Sequence, residues 1–349
     1  MSAPAPSPAA PHGIIVIDGV KYDSWAMGAN TMGLEIDQTT GDASQALWKV
    51  FDPDHKIING YTDKQKLINI STVEIWLGFG EDLGEPWFKG KPASVEYGQQ
   101  TTAFRFYDMS YPMRGVQKNE THKNIDPIAL MRKLAERNKM NFEGPIPAIE
   151  PALEKFRALK QEAKTDWDLM RELADDVGLQ LFTLNDTLYA KEAAKVGTPV
   201  ITLVHRKDFH LLRDFSCRVK LPDNIEGRHA QVDARTRGAG GKRITGKSKS
   251  HRLGSSTTML KRDMKIKTKR TAERRANAIK ALQRDHAFDN TFSALPTWRG
   301  RHPNVRDTIG AYGLPDIFSG EYLIDRVSQA LRAGAMQTRF DVYRDIEEG

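Results

Sequence analysis

Alternating hydrophobic and polar positions predict β-strands in the first third of the chain. The segments from Ser71 to Gly78 and from Thr102 to Tyr107 each place hydrophobic residues at every second position. Between Gly13 and Tyr22, an Asp-Gly pair separates two apolar runs, which is typical of a two-residue hairpin turn. Short strands separated by Gly, Pro and Asp indicate a small antiparallel barrel or sandwich, which we assign to a first domain, residues 13–125. The Pro- and Ala-rich residues 1–12 predict a disordered tail.

The hydrophobic spacing becomes helical after residue 125. Asp126 is a suitable N-cap, Pro127 suits the first helical position, and the apolar residues that follow recur with a helical period. A second helix is predicted from Pro151, because the hydrophobic residues between Leu153 and Leu159 would share one stripe.

The stretch from Thr165 to Ala190 predicts a capped helix, a glycine stop and a hairpin. Thr165 is a good N-cap, and Asp168 stands where the acid of a capping box belongs. Gly178 is at the position that favours a left-handed C-terminal glycine, and Asn185-Asp186 offers a turn between two short strands. These elements complete a predicted α+β middle domain, residues 126–198.

Strand patterns return in the last part of the chain, which we assign to a second β domain, residues 199–349. The predicted elements are strands at Val200–Val204, Phe215–Leu221 and Ala230–Arg235, a basic loop at 235–270, a helix at 271–285 and a closing hairpin that turns at Ala333-Gly334. The predicted fold class is therefore a β-rich α+β protein in which two β domains flank a small α+β domain.

Composition narrows the class of protein. Of the 349 residues, 39% are hydrophobic and 28% are charged, and no apolar run approaches the roughly 20 residues that span a bilayer, so we expect no membrane anchor. The first residues lack the basic start and apolar core of a signal peptide. A single cysteine, Cys217, excludes an internal disulfide and a cysteine-based zinc site, and we expect synthesis in a reducing cytoplasm.

The positive charge is concentrated in one region. Between Arg235 and Arg284 there are 17 Lys and Arg against two acidic residues, a balance of +15, whereas the remainder has 35 basic and 43 acidic residues, a balance of −8. Such a region can bind nucleic acid transiently, contact an acidic protein surface in an assembly, or simply be solvated. The candidate interaction residues are Lys242, Arg243, Lys247, Lys249 and Arg252.

The segment from Gly241 to Ser248 matches the phosphate-binding pattern G-x-x-x-x-G-K-[ST]. That pattern needs a buried strand before it and a helix directly after it, and here a Lys-, Ser- and Gly-rich stretch follows. We therefore expect a basic loop and no bound nucleotide or other cofactor.

Other candidate chemistry is weak. The nine histidines show no metal-ligand spacing. The acidic pairs Asp166/Asp168 and Asp175/Asp176 could suggest glycosidase carboxylates, but helix capping and solvent exposure explain them better. Cys217 fits a small core residue better than a nucleophile. Trp76 and Trp87 fit either the core or an interface. No catalytic residue and no metal ligand is predicted.

Two stretches carry a family resemblance. Thr165-Asp-Trp, followed by Leu173-Ala174, Gly178 and then Leu188-Tyr189, resembles the late control protein D family of tailed phages. These are baseplate hub proteins of contractile tails, with relatives in type VI secretion spikes. The segment Gly320-Glu-Tyr-Leu-Ile-Asp-Arg-Val is similar to the family's final hairpin, although Gln329 stands where the family often has His.

The resemblance implies a structural role. It implies two related β-barrel tube domains that flank the middle domain, and a homotrimer whose six barrels form a pseudo-sixfold ring between a sixfold tail tube and a threefold spike. The implied partners are the tail tube, central spike, tape measure and baseplate wedge proteins, in the baseplate of a virion tail. The alternatives are a tail-associated peptidoglycan hydrolase and a DNA-binding protein.

Overall fold

β-Strands dominate the computed structural model of the chain. The residues that it describes are 11–23, 31–53, 72–79, 83–145, 156–192, 194–205, 212–219, 227–235, 243–247, 256–262, 288–294, 302–332 and 335–344. The strands are β1 Pro11–Ile17, β2 Val20–Asp23, β3 Thr31–Thr39, β4 Gln45–Phe51, β5 Val73–Phe79, β6 Phe88–Tyr97, β7 Thr101–Asp108, β8 Lys118–Ile125, β9 Asn141–Glu143, β10 Phe156–Lys164, β11 Leu179–Leu184, β12 Thr187–Glu192, β13 Ile201–Val204, β14 Leu212–Val219, β15 Gly227–Arg235, β16 Arg243–Lys247, β17 Ser256–Arg262, β18 Phe288–Ala294, β19 Thr308–Tyr312, β20 Gly320–Arg332 and β21 Ala335–Arg344.

Both α-helices of the described residues lie in the middle of the chain. Helix α1 is Pro127–Arg137 and α2 is Asp166–Val177, and short 3-10 helices occur at Tyr111–Arg114 and Asp316–Phe318. The predicted caps are confirmed: the Asp126 carboxylate accepts from the amide of Ala129 at 2.8 Å, and Thr165 and Asp168 form a reciprocal capping box. Gly178 ends α2 in the left-handed region with φ 79°.

One large sheet contains strands from both ends of the chain. Its order is β14-β18-β21-β20-β3-β4-β7-β6-β5-β1-β2, with β19 also pairing with β20, and β13 with β19. The two predicted β domains thus share a sheet, and their hydrophobic residues form a single core. Closure of either half into a barrel stays a prediction.

The strand order of this sheet contains an internal repeat. A first unit runs β3-β4-β7-β6-β5-β1, and a second runs β14-β18-β21-β20-β19-β13. Corresponding strands occur in the same order along the chain. Neighbouring strands are antiparallel throughout both units, except that β13 pairs with β19 in parallel whereas β1 pairs with β5 antiparallel.

Irregularities in the ladders fall at corresponding places in the two units. The first strand of each unit has a register shift against the second, and the fourth strand has one against the third. The four shifts are Thr31/Gly33 in β3, Leu212/Asp214 in β14, Pro92/Ser94 in β6 and Ile324/Arg326 in β20. A β-bulge is a specific backbone feature, so shared bulges indicate that the two units have one common backbone design.

Corresponding core positions are filled in similar ways. Trp48 lies opposite Phe104 in the first unit, and Phe292 lies opposite Phe340 in the second; all four are fully buried. These aromatic side chains bury large apolar areas, which makes them dominant contributors to the stability of each unit.

The two units join along one seam, formed by Gly33–Thr39 of β3 and Arg326–Arg332 of β20. On its outer face, Arg326 Nε donates to Asp37 Oδ1 at 2.7 Å, and Ser328 Oγ donates to the same oxygen at 2.9 Å. On the other face, Ile36 lies opposite Gln329, and both are essentially inaccessible to solvent. The seam therefore combines a buried side with a more exposed side that is held by polar contacts.

The middle unit consists of α1, α2 and strands β8 to β12, with a hydrophobic core of its own. β8 pairs with β10, and β9 pairs in parallel with the hairpin β11–β12. β8 therefore groups with the middle unit, not with the first domain to which residues 13–125 were assigned.

Other sequence predictions need correction. The helix predicted from Pro151 is wrong for Phe156–Lys164, which is a strand: burial alternates from Ala158 to Glu162, and pairing with β8 overrides the helix-like spacing. The predicted tail 1–12 is too long, because β1 begins at Pro11. The predicted helix 271–285 lies outside the described residues.

Gly90 in β6 is expected to be intolerant of a side chain. A methyl group there would overlap the backbone carbonyl oxygen of Tyr107 in the neighbouring strand, and it would also meet the ring of Phe88 at 2.7 Å. Gly90→Ala should lower the free energy of unfolding by about 1–3 kcal/mol in urea titrations, because overpacking forces the backbone to move. The control is Gly33→Ala in β3, where the nearest atom is 3.8 Å away and the expected change is below about 0.5 kcal/mol. Equal losses in the two variants would contradict the packing argument.

Candidate assembly site

The predicted basic residues are placed only in part. Lys242, Lys249 and Arg252 lie outside the described residues, whereas Arg243 and Lys247 begin and end strand β16. β16 pairs with β15, which also pairs with β17, so two strands of a separate three-stranded sheet lie within the segment predicted to be a basic loop, whereas β15 contains the predicted strand Ala230–Arg235. That loop prediction is therefore wrong at β16 and β17.

The structure also bears on the phosphate-binding pattern. Gly246 and Lys247 lie opposite Val232 and Gln231 in an antiparallel ladder. A phosphate-binding loop curls so that successive amides converge on the anion, whereas amides in an extended strand point alternately to either side. The backbone is therefore that of a strand.

The small sheet is an insertion between β14 and β18. In the first unit the corresponding strands β3 and β4 are joined by residues 40–44, whereas the second unit has residues 220–287 at this place. The insertion carries 19 Lys and Arg against six Asp and Glu. The register places Arg235 opposite Arg243, and Asp233 opposite Arg262. The basic residues of the chain are thus concentrated in the sequence between β14 and β18.

The buried carboxylate of Asp166 connects four segments of the middle unit. Its Oδ2 accepts from Lys118 Nζ in β8 at 2.9 Å and from Asn138 Nδ2 after α1 at 2.9 Å, and its Oδ1 accepts from Gln161 Nε2 in β10 at 3.1 Å. Arg137 at the end of α1 donates to both oxygens and also binds Glu120 at 2.8 Å. The side chain of Asp166 is only 1% exposed, at the N-terminus of α2.

This environment keeps Asp166 ionised. Burial alone would raise its pKa, but hydrogen bonds from Lys118, Asn138, Gln161 and Arg137 outweigh that effect and lower the pKa to about 2. Asp166 and Asp168 both lie in the first turn of α2 as predicted, and Asp168 serves the capping box, but solvent exposure does not explain Asp166, which is buried. Sequence reasoning missed this network because its members come from four separate segments.

The hairpin β11–β12 holds the middle unit against both β units. Phe182 in β11 packs into the large core and carries the guanidinium of Arg306, a second-unit residue, over its ring at 4.7 Å. On the other side, Asn185 Nδ2 donates to the carbonyl of Pro86 at 3.1 Å, and Asp186 pairs with Lys89 at 3.5 Å. The turn predicted at Asn185-Asp186 is therefore a point of contact between units.

Burial resolves the ambiguity for Trp87. Trp87 is 4% exposed, donates from its indole to Asn304 Oδ1 at 3.2 Å and lies 5.3 Å from the ring of His302, so it joins the first and second units. Burial lowers the pKa of His302 to about 4. Trp76 is half-buried and donates to the carbonyl of Gly84 at 3.1 Å.

Several strand edges of the large sheet have no partner strand among the described residues, and two of these strands carry exposed aromatic residues. Among the described residues, β14 pairs on one side only, with β18, and β5 covers β6 only over Phe88–Gly90. Two exposed aromatic residues lie on these strands, Phe215 at 42% exposure and Tyr97 at 54%. Open edges with exposed aromatic side chains are suited to pairing with another chain.

Two further observations concern candidate chemistry. In the described residues, no group of three or more His, Cys, Asp or Glu side chains is arranged to hold a metal ion. Neither helix described here is long and apolar enough to cross a membrane. Cys217 is half-buried in β14, where burial raises the pKa of its thiol.

The fold is shared with phage tail proteins. The 43 kDa tail protein of prophage MuSo2 from Shewanella oneidensis superposes with a TM-score of 0.67 at 13% identity, over 96% of this chain and 98% of that chain. A tail protein from Neisseria meningitidis MC58 gives 0.67 at 15% identity, over 96% and 97%. An Escherichia coli component of the type VI secretion system, itself structurally similar to the T4 tail proteins gp27 and gp5, gives 0.61 at 10% identity, over 96% and 77%.

No protein-family model matches the sequence, and no curated protein sequence matches it. At such low identity the likeness to solved structures concerns the fold, and it extends over almost the whole chain. The resemblance to tail and baseplate proteins that the sequence suggested is confirmed at that level.

Asp166→Asn is expected to destabilise the middle unit by about 3 kcal/mol, because it removes the buried charge that pairs with both Lys118 and Arg137 and leaves Arg137 with Glu120 alone. Chemical denaturation at pH 7 measures the loss. Glu172→Gln is the control: it breaks the half-exposed ion pair with Lys164 and should cost less than about 1 kcal/mol. Similar losses in both variants would contradict the central role of Asp166.

The network also predicts a dependence of stability on pH. The folded-state pKa of Asp166 is depressed, so its stabilising contribution is complete above its ordinary pKa near 4 and declines as the pH falls toward 2. The difference in unfolding free energy between the wild type and Asp166→Asn should therefore shrink by about 1 kcal/mol between pH 5 and pH 3. A difference that is constant over this range would show that Asp166 is not held ionised.

Proposed function

We propose that the chain is the structural hub subunit of the baseplate of a phage or phage-like contractile tail. Three copies form a ring that contains six similar β units. The ring presents sixfold-like symmetry to the tail tube on one side and threefold symmetry to a central spike on the other. The tape measure protein and the baseplate wedge proteins are further partners, and the protein resides in the tail baseplate.

The observation that carries this proposal is the repeat of one β unit within a chain that has the fold of phage tail proteins. The tail protein of prophage MuSo2 is matched over 98% of its length, so the whole architecture corresponds and not a single module. Three copies of a protein with two similar units supply six similar units. When heterologous contacts close these copies into a ring, the six units can each contact one subunit of a sixfold partner. The matched strand orders and bulges supply such a pair of units.

The internal contacts suit a subunit that transmits force. The two units belong to one chain and pair with each other along the seam. Trp87 connects the first unit to the second, and Arg306 connects the second unit to the middle unit. Buried hydrogen bonds and packed aromatic rings resist relative motion of the parts.

A peptidoglycan hydrolase is less well supported. A general acid requires a carboxyl group with a raised pKa, whereas the pKa of Asp166 is lowered to about 2 and Asp168 is occupied in the capping box. Burial raises the pKa of Asp108, but that carboxylate is 2% exposed and accepts from the Ser44 amide at 2.6 Å and from Ser110 Oγ at 2.6 Å. Asp108 thus supports a turn.

The proposal predicts a trimer. Sedimentation equilibrium of the purified protein, alone and with its tail tube and spike proteins, should give three times the chain mass of 39.3 kDa for this subunit in the assembled species. A chain that stays monomeric in all these mixtures would overturn the proposal.

Zymography distinguishes the enzyme alternative in the same preparation. A hub leaves a peptidoglycan-containing gel uncleared, whereas a cleared band at the mass of this chain would favour a hydrolase. A duplex-DNA mobility shift at nanomolar protein that weakens with salt would favour the DNA-binding alternative.

A further inference from the structure

Three cations lie on the outer face of the first unit without any counter-ion. Residues of β4, β7 and β6 alternate between the core and this outer face, which carries Lys49, Arg105 and Lys91. Among the described residues, no hydrogen bond or ion pair holds any of these three side chains. On β20 and β21 of the second unit, by contrast, each exposed cation pairs with an acid: Arg326 with Asp37, Arg332 with Glu35 and Arg339 with Asp341.

The strand register places the three cations in a diagonal row. Arg105 is the central member, in β7. Lys49 lies opposite the residue two positions before Arg105, and Lys91 lies opposite the residue two positions after it. Diagonal neighbours on one face of an antiparallel pair are about 7–8 Å apart, so the row is evenly spaced. One acid, Glu96, adjoins the Lys49 end of this cationic row.

A pair of stacked tyrosines borders the other end of the cationic row. Tyr107, which lies opposite Lys91, stacks on Tyr111 with the ring centroids 4.4 Å apart and the planes inclined by 14°. Tyr111 begins the 3-10 helix that follows β7, and 42% of its surface is exposed. A flat aromatic surface thus adjoins the unpaired cations.

The second unit shows that the shared backbone does not need these side chains. At the positions that correspond to the cationic row, it has a serine, a hydrogen-bonded acid and a buried leucine, which are Ser293, Asp341 and Leu323. Tyr343, which corresponds to Tyr107, is only 5% exposed. Folding of the β unit therefore does not explain the cationic row or the open tyrosine stack.

We propose that this face of the first unit binds single-stranded nucleic acid. The cationic row contacts successive phosphates, and a base stacks on the exposed ring of Tyr111. Cations that follow the backbone, together with an aromatic ring that receives a base, are the two elements of sequence-independent binding to single strands. This activity goes beyond the structural role proposed above and does not depend on it.

The tyrosine stack favours a single strand over other polyanions. A duplex keeps its bases paired and stacked inside, and an acidic protein surface needs only the cations. In an extended single strand the bases are free to stack on aromatic side chains, and every base has a suitable face. A single strand therefore uses both the cationic row and Tyr111.

Photo-cross-linking locates the site directly. The insertion of residues 220–287 is also basic and attracts polyanions, so the readout must identify the residue that is contacted. A thymidine oligonucleotide of about 15 nucleotides that carries iodouracil should cross-link to Tyr111 under ultraviolet light. Mass spectrometry of the digested protein identifies the modified residue.

Removal of the central cation tests the row. Arg105→Ser should weaken binding of the oligonucleotide by about threefold to tenfold and reduce the slope of log K against log salt by about 0.7, because one phosphate contact is lost. Arg339→Ser is the matched control, because it removes an exposed cation of the second unit, and it should leave both quantities unchanged. Neither side chain is buried, so both variants should unfold at the wild-type urea concentration.

Two substitutions of Tyr111 test the stacking of a base. Tyr111→Ala should weaken binding by about tenfold, because the surface that receives the base is lost. Tyr111→Phe keeps the aromatic ring and should bind like the wild type. A loss of equal size in both variants would show that the hydroxyl group or the local fold matters, and it would contradict stacking.

The outcomes decide both the site and the ligand. A cross-link at Tyr111, together with weaker binding by Arg105→Ser and Tyr111→Ala but not by their controls, would support the proposal. Cross-links confined to residues 220–287, or wild-type binding by Tyr111→Ala, would overturn it. Suppression of the Tyr111 cross-link by a duplex or by poly-glutamate as fully as by unlabelled oligonucleotide would show that charge alone is recognised, and would also overturn it. The trimer is measured separately, so each of these failures leaves the hub proposal intact.

Discussion

The pairing of β3 with β20 is the constraint on which the rest of the structure depends. Without it the chain would contain two β units, each with an uncovered edge and an incomplete core. With it, a sheet runs through both units, and one hydrophobic core contains Trp48 of the first and Phe340 of the second. The seam is held by buried residues such as Ile36 on one face and by the Arg326–Asp37 ion pair on the other.

The middle unit serves as a brace between these two units. Its helices and β8–β10 pair are tied together by one buried carboxylate, Asp166, which satisfies donors from β8, β10 and the end of α1. The hairpin β11–β12 then fixes this assembly to the first unit through Asn185 and to the second through Phe182. Removing one partner of a buried ion pair lowers the stability of the fold strongly, because the other charge stays buried without compensation. The stretch Thr165–Ala190, which has the clearest sequence signature, therefore has a structural role, and its buried Asp166 stabilises the packing of the middle unit.

Local signals were predictable from the sequence, and long-range ones were not. Thr165, Gly178 and Asn185 act within one turn of the chain, so the cap, the helix stop and the hairpin turn followed from residue type. Phe156–Lys164 was mistaken for part of a helix because its partner β8 is remote in sequence, and pairing decided its conformation. The Asp166 network and the seam join segments far apart in the chain, which no local pattern encodes. Of the predicted basic residues, Arg243 and Lys247 lie in a strand where a loop was expected. Their role in binding stays a prediction.

In the proposed assembly each chain supplies two equivalent units, and three chains close a ring of six. Electron-microscopy class averages of the assembled protein, viewed along the ring axis, test this most directly. The expected particle is a closed ring with threefold symmetry and six similar lobes around a central opening. An open filament, or a closed particle that shows only three lobes, would contradict it.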